Sequence, residues 1–157
     1  MANTDAEVAS RVEQVLASFV GVEAPLLEIL HAVQEAFGYI PEAAKPQIAE
    51  ALNLSRAEVH GVVSFYHDFR SEPAGRHILK LCRAEACQSM GGEANARRAQ
   101  DILGIEMGGT TPNGVATLEA VYCLGMCACA PAAMIDGRPV GRVDRDVLDT
   151  LLAEAQR

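Results

Sequence analysis

The sequence predicts an α/β chain in two parts, an N-terminal helical bundle followed by a strand, helix, strand, hairpin, helix unit. Three observations predict it. In the first part apolar residues recur at helical spacing; at Ser71-Glu72-Pro73-Ala74-Gly75 a turn-rich stretch interrupts the pattern; beyond it short strand-like runs alternate with helical ones. The expected division is 1–72 for the bundle and 73–157 for the second unit.

In the first part, Val8, Val12, Val15, Leu16 and Phe19 form one stripe from Asp5 to Phe19, and Glu7, Arg11, Glu13 and Gln14 fall opposite it. Val20 to Ala24 breaks that helix. Pro25 suits the first turn of the next, in which Leu26, Leu27, Leu30, Val33 and Phe37 continue to a stop at Gly38. A third helix is expected from Pro41 to Leu52. Ser55 stands three before Glu58, a capping box that opens a fourth helix to about Ser64. Four short helices with short connections predict an antiparallel bundle.

In the second part, His77-Ile78-Leu79-Lys80-Leu81 predicts a strand that ends at Cys82, and Glu93 to Leu103 a helix. Gly108 to Gly114 is a loop. Val115 to Tyr122 predicts a second strand, which delivers Cys123. Ala132 to Ile135 and Arg138 to Val143 flank Asp136-Gly137, a hairpin signal, and Asp144 to Ala155 closes with a helix. This is a thioredoxin-like order.

Composition excludes several classes of function. The chain has 157 residues and a net charge of −8, which argues against nucleic-acid binding. Half of it counts as hydrophobic, but 26 of those residues are alanine, and no run approaches the ~20 apolar residues that cross a bilayer. Met1 to Glu7 has neither a basic nor an apolar leader region, so reduced cysteines and a cytoplasmic location are expected. Arg70, Arg76, Lys80 and Arg83 bunch before and within the first cysteine loop; ordinary solvated charge is the preferred reading for Arg70 and Arg76.

The chemistry lies in the cysteines. Cys82 and Cys87 form a C-x4-C pair, 35 residues follow, and Cys123 and Cys127 form a C-x3-C pair, with Cys129 close behind. Both pairs fall just past strand C-termini, where loops from adjacent strands of one sheet lie side by side. Structural zinc usually takes C-x2-C knuckles, which neither pair has. The C-x4-C opening resembles iron-sulfur spacing better, and Ala84, Ala86, Gly91, Gly92, Gly125, Ala128 and Ala130 would let backbone amides approach the sulfurs. A 2Fe-2S cluster is therefore favoured over zinc. No C-x-x-C stands for dithiol exchange. Ser64, His67 and Asp68 sit too close together in one segment for a triad, and His31 suits packing. Gly104 to Gly114 lacks both the G-x-G-x-x-G order and a Walker lysine, so no nucleotide or flavin motif is present.

With Ala130-Pro131 and the Met134-Ile135-Asp136-Gly137 hairpin, these cysteines resemble the thioredoxin-like 2Fe-2S ferredoxin subunits of NADH-linked respiratory and hydrogenase complexes. The resemblance runs from about Leu26 to Val147 and takes in Leu30 to Pro41 and Val62 to Tyr66. The run Cys82 to Gly91 is most similar to the gamma subunit of NAD-dependent molybdenum formate dehydrogenases. Two positions depart from the family pattern, Met126 and Cys129. The resemblance implies Cys82, Cys87, Cys123 and Cys127 as cluster ligands, with Cys129 a packed thiol, and it implies no activity for the chain alone. It also implies a flavin- and NAD-binding partner subunit and a molybdenum and iron-sulfur catalytic subunit. FMN, NAD and the molybdenum cofactor would then sit on those partners, and the bundle 1–72 would dock them. The alternatives are the equivalent subunit of respiratory complex I or of an NAD-reducing hydrogenase, and a zinc-stabilised interaction module.

Overall fold

The computed structural model describes residues 4–157; the first three residues of the Met1 to Glu7 stretch lie outside them. The chain divides into two compact units, Met1–Pro73 and Ala74–Arg157.

The first unit holds α1 (Asp5–Ala17), α2 (Leu26–Phe37), α3 (Ala44–Ala51) and α4 (Arg56–Phe65). Two capping boxes start helices. Thr4 and Glu7 exchange bonds at α1, and at α4 Ser55 Oγ accepts from the Glu58 N–H at 3.1 Å while Glu58 Oε2 accepts from the Ser55 N–H at 2.8 Å. Gly38 ends α2 in the left-handed conformation, φ +80°. The stripes converge on one core of Val8, Val12, Ile29, Leu30, Val33, Ile48, Val59 and Val63, closed by Ile40 and Phe69. The Gln34 amide pins the returning chain, accepting from the Arg70 N–H and donating to the Asp68 carbonyl, both at 2.7 Å.

Two helices are shorter than the periodicity predicts. α1 stops at Ala17 because Ser18 and Phe19 bond back three residues, to Val15 and Leu16, and tighten the last turn. Pro41 to Ala43 form a turn of the same kind before α3. One buried residue escapes the apolar pattern: Lys45 is 5% exposed, its ammonium paired with Glu42 and 3.3 Å from His60 Nδ1.

The second unit holds β1 (His77–Cys82), α5 (Glu85–Ser89), α6 (Gly92–Leu103), β2 (Ala116–Val121), β3 (Ala133–Ile135), β4 (Arg138–Val140) and α7 (Arg145–Ala155), the thioredoxin-like mixed helix and sheet order. The sheet order is β2-β1-β3-β4, with β1 and β2 parallel and the other pairs antiparallel. Leu79 and Leu81 of β1, with Leu118 of β2 and Ile135 of β3, point to the face where Ala96, Ala99 and Leu103 of α6 and Leu148, Leu151 and Leu152 of α7 complete a core. An Arg98–Asp149 pair with two bonds of 2.7 Å ties α6 to α7. Lys80 and Glu119, register partners on the other face, pair at 3.2 Å. β4 ends at Val140, short of Val143, because Gly141 and Arg142 leave the ladder: Arg142 turns to φ +52° and donates its N–H to the Cys129 carbonyl.

Candidate metal centre

The parallel register sets the site. Cys82 lies opposite Val121, so β1 and β2 end level, and each releases a loop at the same edge of the sheet. Two further bonds hold that edge: the Arg83 N–H donates to Val121 at 2.8 Å and the Cys82 N–H to Ala132 at 3.0 Å.

The first loop folds back through α5, a helix too short to be read from periodicity. Gln88 and Cys87 donate their N–H groups to the Ala84 carbonyl at 2.9 and 3.0 Å, and that turn carries Cys87 round to face Cys82. The start of α6 presses on this loop. A β-carbon at Gly92 would lie 2.7 Å from the Cys87 carbonyl oxygen and 3.4 Å from that of Cys82, so only glycine fits there. Cys82 and Cys87 are 4% and 2% exposed, in an apolar cluster with Ala132 that Ala84, Val121, Leu124, Met126 and Ala130 surround.

The second loop is exposed and its backbone unusual. Cys123 takes φ +113°, a conformation costly for a side chain with a β-carbon, and Gly125 takes φ +74°. The effect is to aim amides inward. The Cys123 and Leu124 N–H groups point at the Cys82 sulfur, and the Gly125 N–H donates to Cys123 Sγ at 3.3 Å. Successive amides of this kind form a nest for negative charge. A single 3-10 turn, Cys127–Cys129, follows and brings Cys127 Sγ to 3.8 Å from Cys123 Sγ.

The thiols strain against one another. Burial pushes the Cys82 thiol up, but the Ala84 amide, the Cys87 thiol and the Leu124 and Cys123 amides more than reverse this and hold it below the usual thiol range. Burial raises the Cys87 thiol, as do its bond to Cys82 and the charges of Cys82 and Cys127, against the Ala132 amide. Cys127 is raised chiefly by its bond to Cys123 and the charge there, and further by Cys82. A bound cation overrides this balance, because it deprotonates coordinating thiols outright.

Two thiolates on one tetrahedral metal at about 2.3 Å stand about 3.8 Å apart, as Cys123 and Cys127 do. The two loops bring four thiols in two pairs to one sheet edge, and a two-iron cluster takes two thiolates on each iron. The donor set fits the cluster.

Comparison with known proteins accords with this geometry. The sequence profile of the thioredoxin-like [2Fe-2S] ferredoxin family matches residues 12–156. The chain belongs to that family. This ferredoxin is 38% identical over 143 residues to an NADH-quinone oxidoreductase subunit of Pseudomonas aeruginosa, covering 91% of the chain and 86% of the relative. It is 32% identical to the NADP-reducing hydrogenase subunit HndA of Solidesulfovibrio fructosivorans, covering 91% and 84%. Its fold matches a chain in the crystal structure of an NAD+-reducing [NiFe]-hydrogenase in the H2-reduced state with a TM-score of 0.73 at 27% identity; the match covers 84% of the ferredoxin but only 22% of that longer chain. A 2Fe-2S cluster is thus the ferredoxin's cofactor. When bound, it takes up and releases one electron.

Other candidate residues fall outside the site. The Cβ of Cys129 packs on Gly141, where an added β-carbon would meet it at 2.7 Å and Met126 Cε at 3.0 Å, so the two residues that depart from the family pattern share one contact. Ser64 Oγ donates to its own helix at Gly61, and the His31 ring packs on Phe69 with centroids 5.0 Å apart. Arg83 pairs with Glu93 at 2.7 Å, and Arg76 donates to the Arg157 carbonyl. Sequence reasoning misses Ala132, whose amide lies on Cys87; its one signal is its place directly after Ala130-Pro131. Among the described residues no helix is long and apolar enough to cross a membrane.

Proposed function

We propose that this ferredoxin is the electron-transfer subunit of a cytoplasmic, multisubunit NAD(P)-linked oxidoreductase, with Cys82, Cys87, Cys123 and Cys127 holding its cluster. The observation that carries the reading is the meeting of two thiol pairs at one sheet edge, one pair buried and one exposed. A buried pair fixes the cluster, and an exposed pair leaves it within reach of a partner.

The partner reading rests on chemistry. NAD takes a hydride, a 2Fe-2S cluster handles one electron, and a flavin converts between them. These 157 residues carry no nucleotide or flavin motif, so in this reading both cofactors lie outside them. In the NAD+-reducing hydrogenase a segment like this one is one part of a much longer polypeptide. Residues 1–72 are the docking unit in this reading and 73–157 the ferredoxin unit.

The relatives favour a respiratory NADH-quinone oxidoreductase or NAD-reducing hydrogenase assembly over the narrower formate dehydrogenase reading. The latter rests on the run Cys82 to Gly91 alone. Copurification of the tagged chain tests all three. NADH should reduce the ferredoxin only when its flavoprotein subunit is added, and the complex should then couple NAD to quinone, hydrogen or formate. A molybdenum subunit with formate-dependent NAD reduction would select the formate dehydrogenase; NAD reduction by the lone chain would overturn the carrier reading.

A further inference from the structure

The N-terminal unit carries an apolar groove of about 760 Å³ that the electron-transfer role does not use. Its walls are the end of α1, the 18–25 loop, the start of α2 and the chain leaving α3, with Leu16, Phe19, Val20, Val22, Ile29 and Leu52 on its surface. Val20 and Val22 are 84% and 49% exposed, on a loop bent through left-handed Gly21 and Ala24. Exposed branched side chains beside an open apolar groove form a patch that soluble chains ordinarily cover.

The rim says what covers it. The segments that build the groove, 13–29 and 51–54, carry Glu13, Glu23 and Glu28 and no lysine or arginine, and Glu50 directly precedes the second segment. All four carboxylates are exposed, and among the described residues none is in an ion pair. Arg11, the base nearest in sequence to Glu13, is turned over the Phe37 ring instead, 5.8 Å from its centroid. A small-molecule site of this size would carry several convergent polar groups, and here Glu13 is the sole charged residue in the lining. A second copy of the chain would bring a net charge of −8 against an acidic rim.

We propose that this groove docks an apolar segment flanked by lysine or arginine on the NAD-binding flavoprotein subunit. One or two large side chains fill the groove, and the flanking cations pair with the four glutamates, which steers the encounter and fixes the register. The inference rests on the partner reading above and gives it a surface.

The test measures binding of the full-length, cluster-loaded chain to its purified flavoprotein subunit. Val20→Asp with Val22→Asp should weaken binding about tenfold or more. Glu13→Lys with Glu23→Lys should weaken it at low salt and flatten its salt dependence. In both, the visible spectrum and unfolding temperature should match the parent, since the changed side chains are exposed. A photo-crosslinker at position 22 should capture a basic, apolar segment of the flavoprotein. Unchanged affinity in both double variants would overturn the groove, and capture of a second copy or of an acidic segment would overturn the occupant. Failure of the unsubstituted chain to bind the flavoprotein would instead sink the partner reading, and this proposal with it.

Discussion

Cys82 and Cys87 are almost fully buried, while Cys123 and Cys127, the same chemical groups at the same sheet edge, face solvent. The backbone divides in the same way. The inner pair is held by a strand end, a helical turn and the close approach of α6 at Gly92; the outer pair rides on a loop whose amides are turned inward by Cys123 in an unfavourable conformation. The difference teaches that the two halves of the site do different work. In the proposed assignment the inner half anchors, because its two thiols are closed off from water. The outer loop supplies charge stabilisation to the inner half, since its Cys123 and Leu124 amides meet the Cys82 sulfur, which is held below the usual thiol range while the exposed Cys127 is raised. Tyr122, directly before Cys123, is well exposed.

The largest expected effect follows from removing ligands. Alanine at Cys82, Cys87, Cys123 or Cys127 should abolish the visible absorption and bound iron, because three thiolates remain where the cluster takes four. Serine should separate the halves. Cys127→Ser keeps a cluster with a shifted spectrum, since a solvated oxygen can replace an exposed sulfur, while Cys87→Ser loses it in the apolar pocket. Retention in the Cys87 variant with loss in the Cys127 variant would reverse the assignment of anchor and port.

Stripping the cluster should unlock the halves unequally. Metal binding contributes directly to folding free energy, so the cluster-free chain should unfold at lower temperature. Hydrogen exchange should rise first at Cys123, Leu124 and Gly125, whose amides lose the charge they were aimed at. The segment from Ala84 to Gly92 should stay protected, because α5 and α6 hold it without metal. Equal loss in both loops would mean that the inner half is no more preformed than the outer.

Glycine substitutions probe the same contrast without touching a sulfur. Gly92→Ala drives a methyl group into the Cys87 carbonyl and should cost about 1–3 kcal/mol, seen as a lower urea midpoint and a lower cluster yield. Cys129→Ala should leave the spectrum intact and cost less than about 1.5 kcal/mol, as one sulfur leaves a half-buried contact over Gly141. A colourless Cys129 variant would make it a ligand and displace Cys127.

How much of the fold and the site is legible in the sequence follows from where the information lies. Local signals are legible: the Ser55–Glu58 box, the stop at Gly38, the Asp136-Gly137 hairpin, and the strands that deliver Cys82 and Cys123. The helix α5 is not, because five residues span too little of a helical period to leave a pattern. Nor is the left-handed Cys123, since nothing in a cysteine announces positive φ as glycine does. The inner and outer division is invisible for a different reason. It depends on Ala132 and Leu124 closing over one pair and not the other, and burial by residues distant in sequence leaves no local trace.

The smallest expected effect comes from the opposite end of the sheet and serves as the control. Asp136 sits in the hairpin with Oδ2 2.7 Å from His77 Nδ1, and its Oδ1 accepts from the Ile78 N–H at 2.8 Å. Burial raises its pKa, but the His77 bond, the Ile78 amide and the charges of His77 and Arg138 together outweigh this and hold the carboxyl below the ordinary range. A depressed carboxylate stabilises the fold fully above its unfolded-state pKa of about 3.9, and the contribution fades as pH falls through the lower folded value. Asp136→Asn keeps an oxygen for Ile78 and tolerates the left-handed backbone at φ +49°, so it removes the charge and little else. Because the pair is part-exposed, the variant should lose about 0.3–1 kcal/mol near neutral pH, and the gap should close as the solution becomes strongly acidic. Its visible spectrum should equal that of the parent, because β1 separates this corner from the cysteine edge. If neutralising Asp136 bleached the cluster, the inner pair would depend on the whole sheet and not on its own loop and helix, and the contrast between anchor and port would lose its local basis.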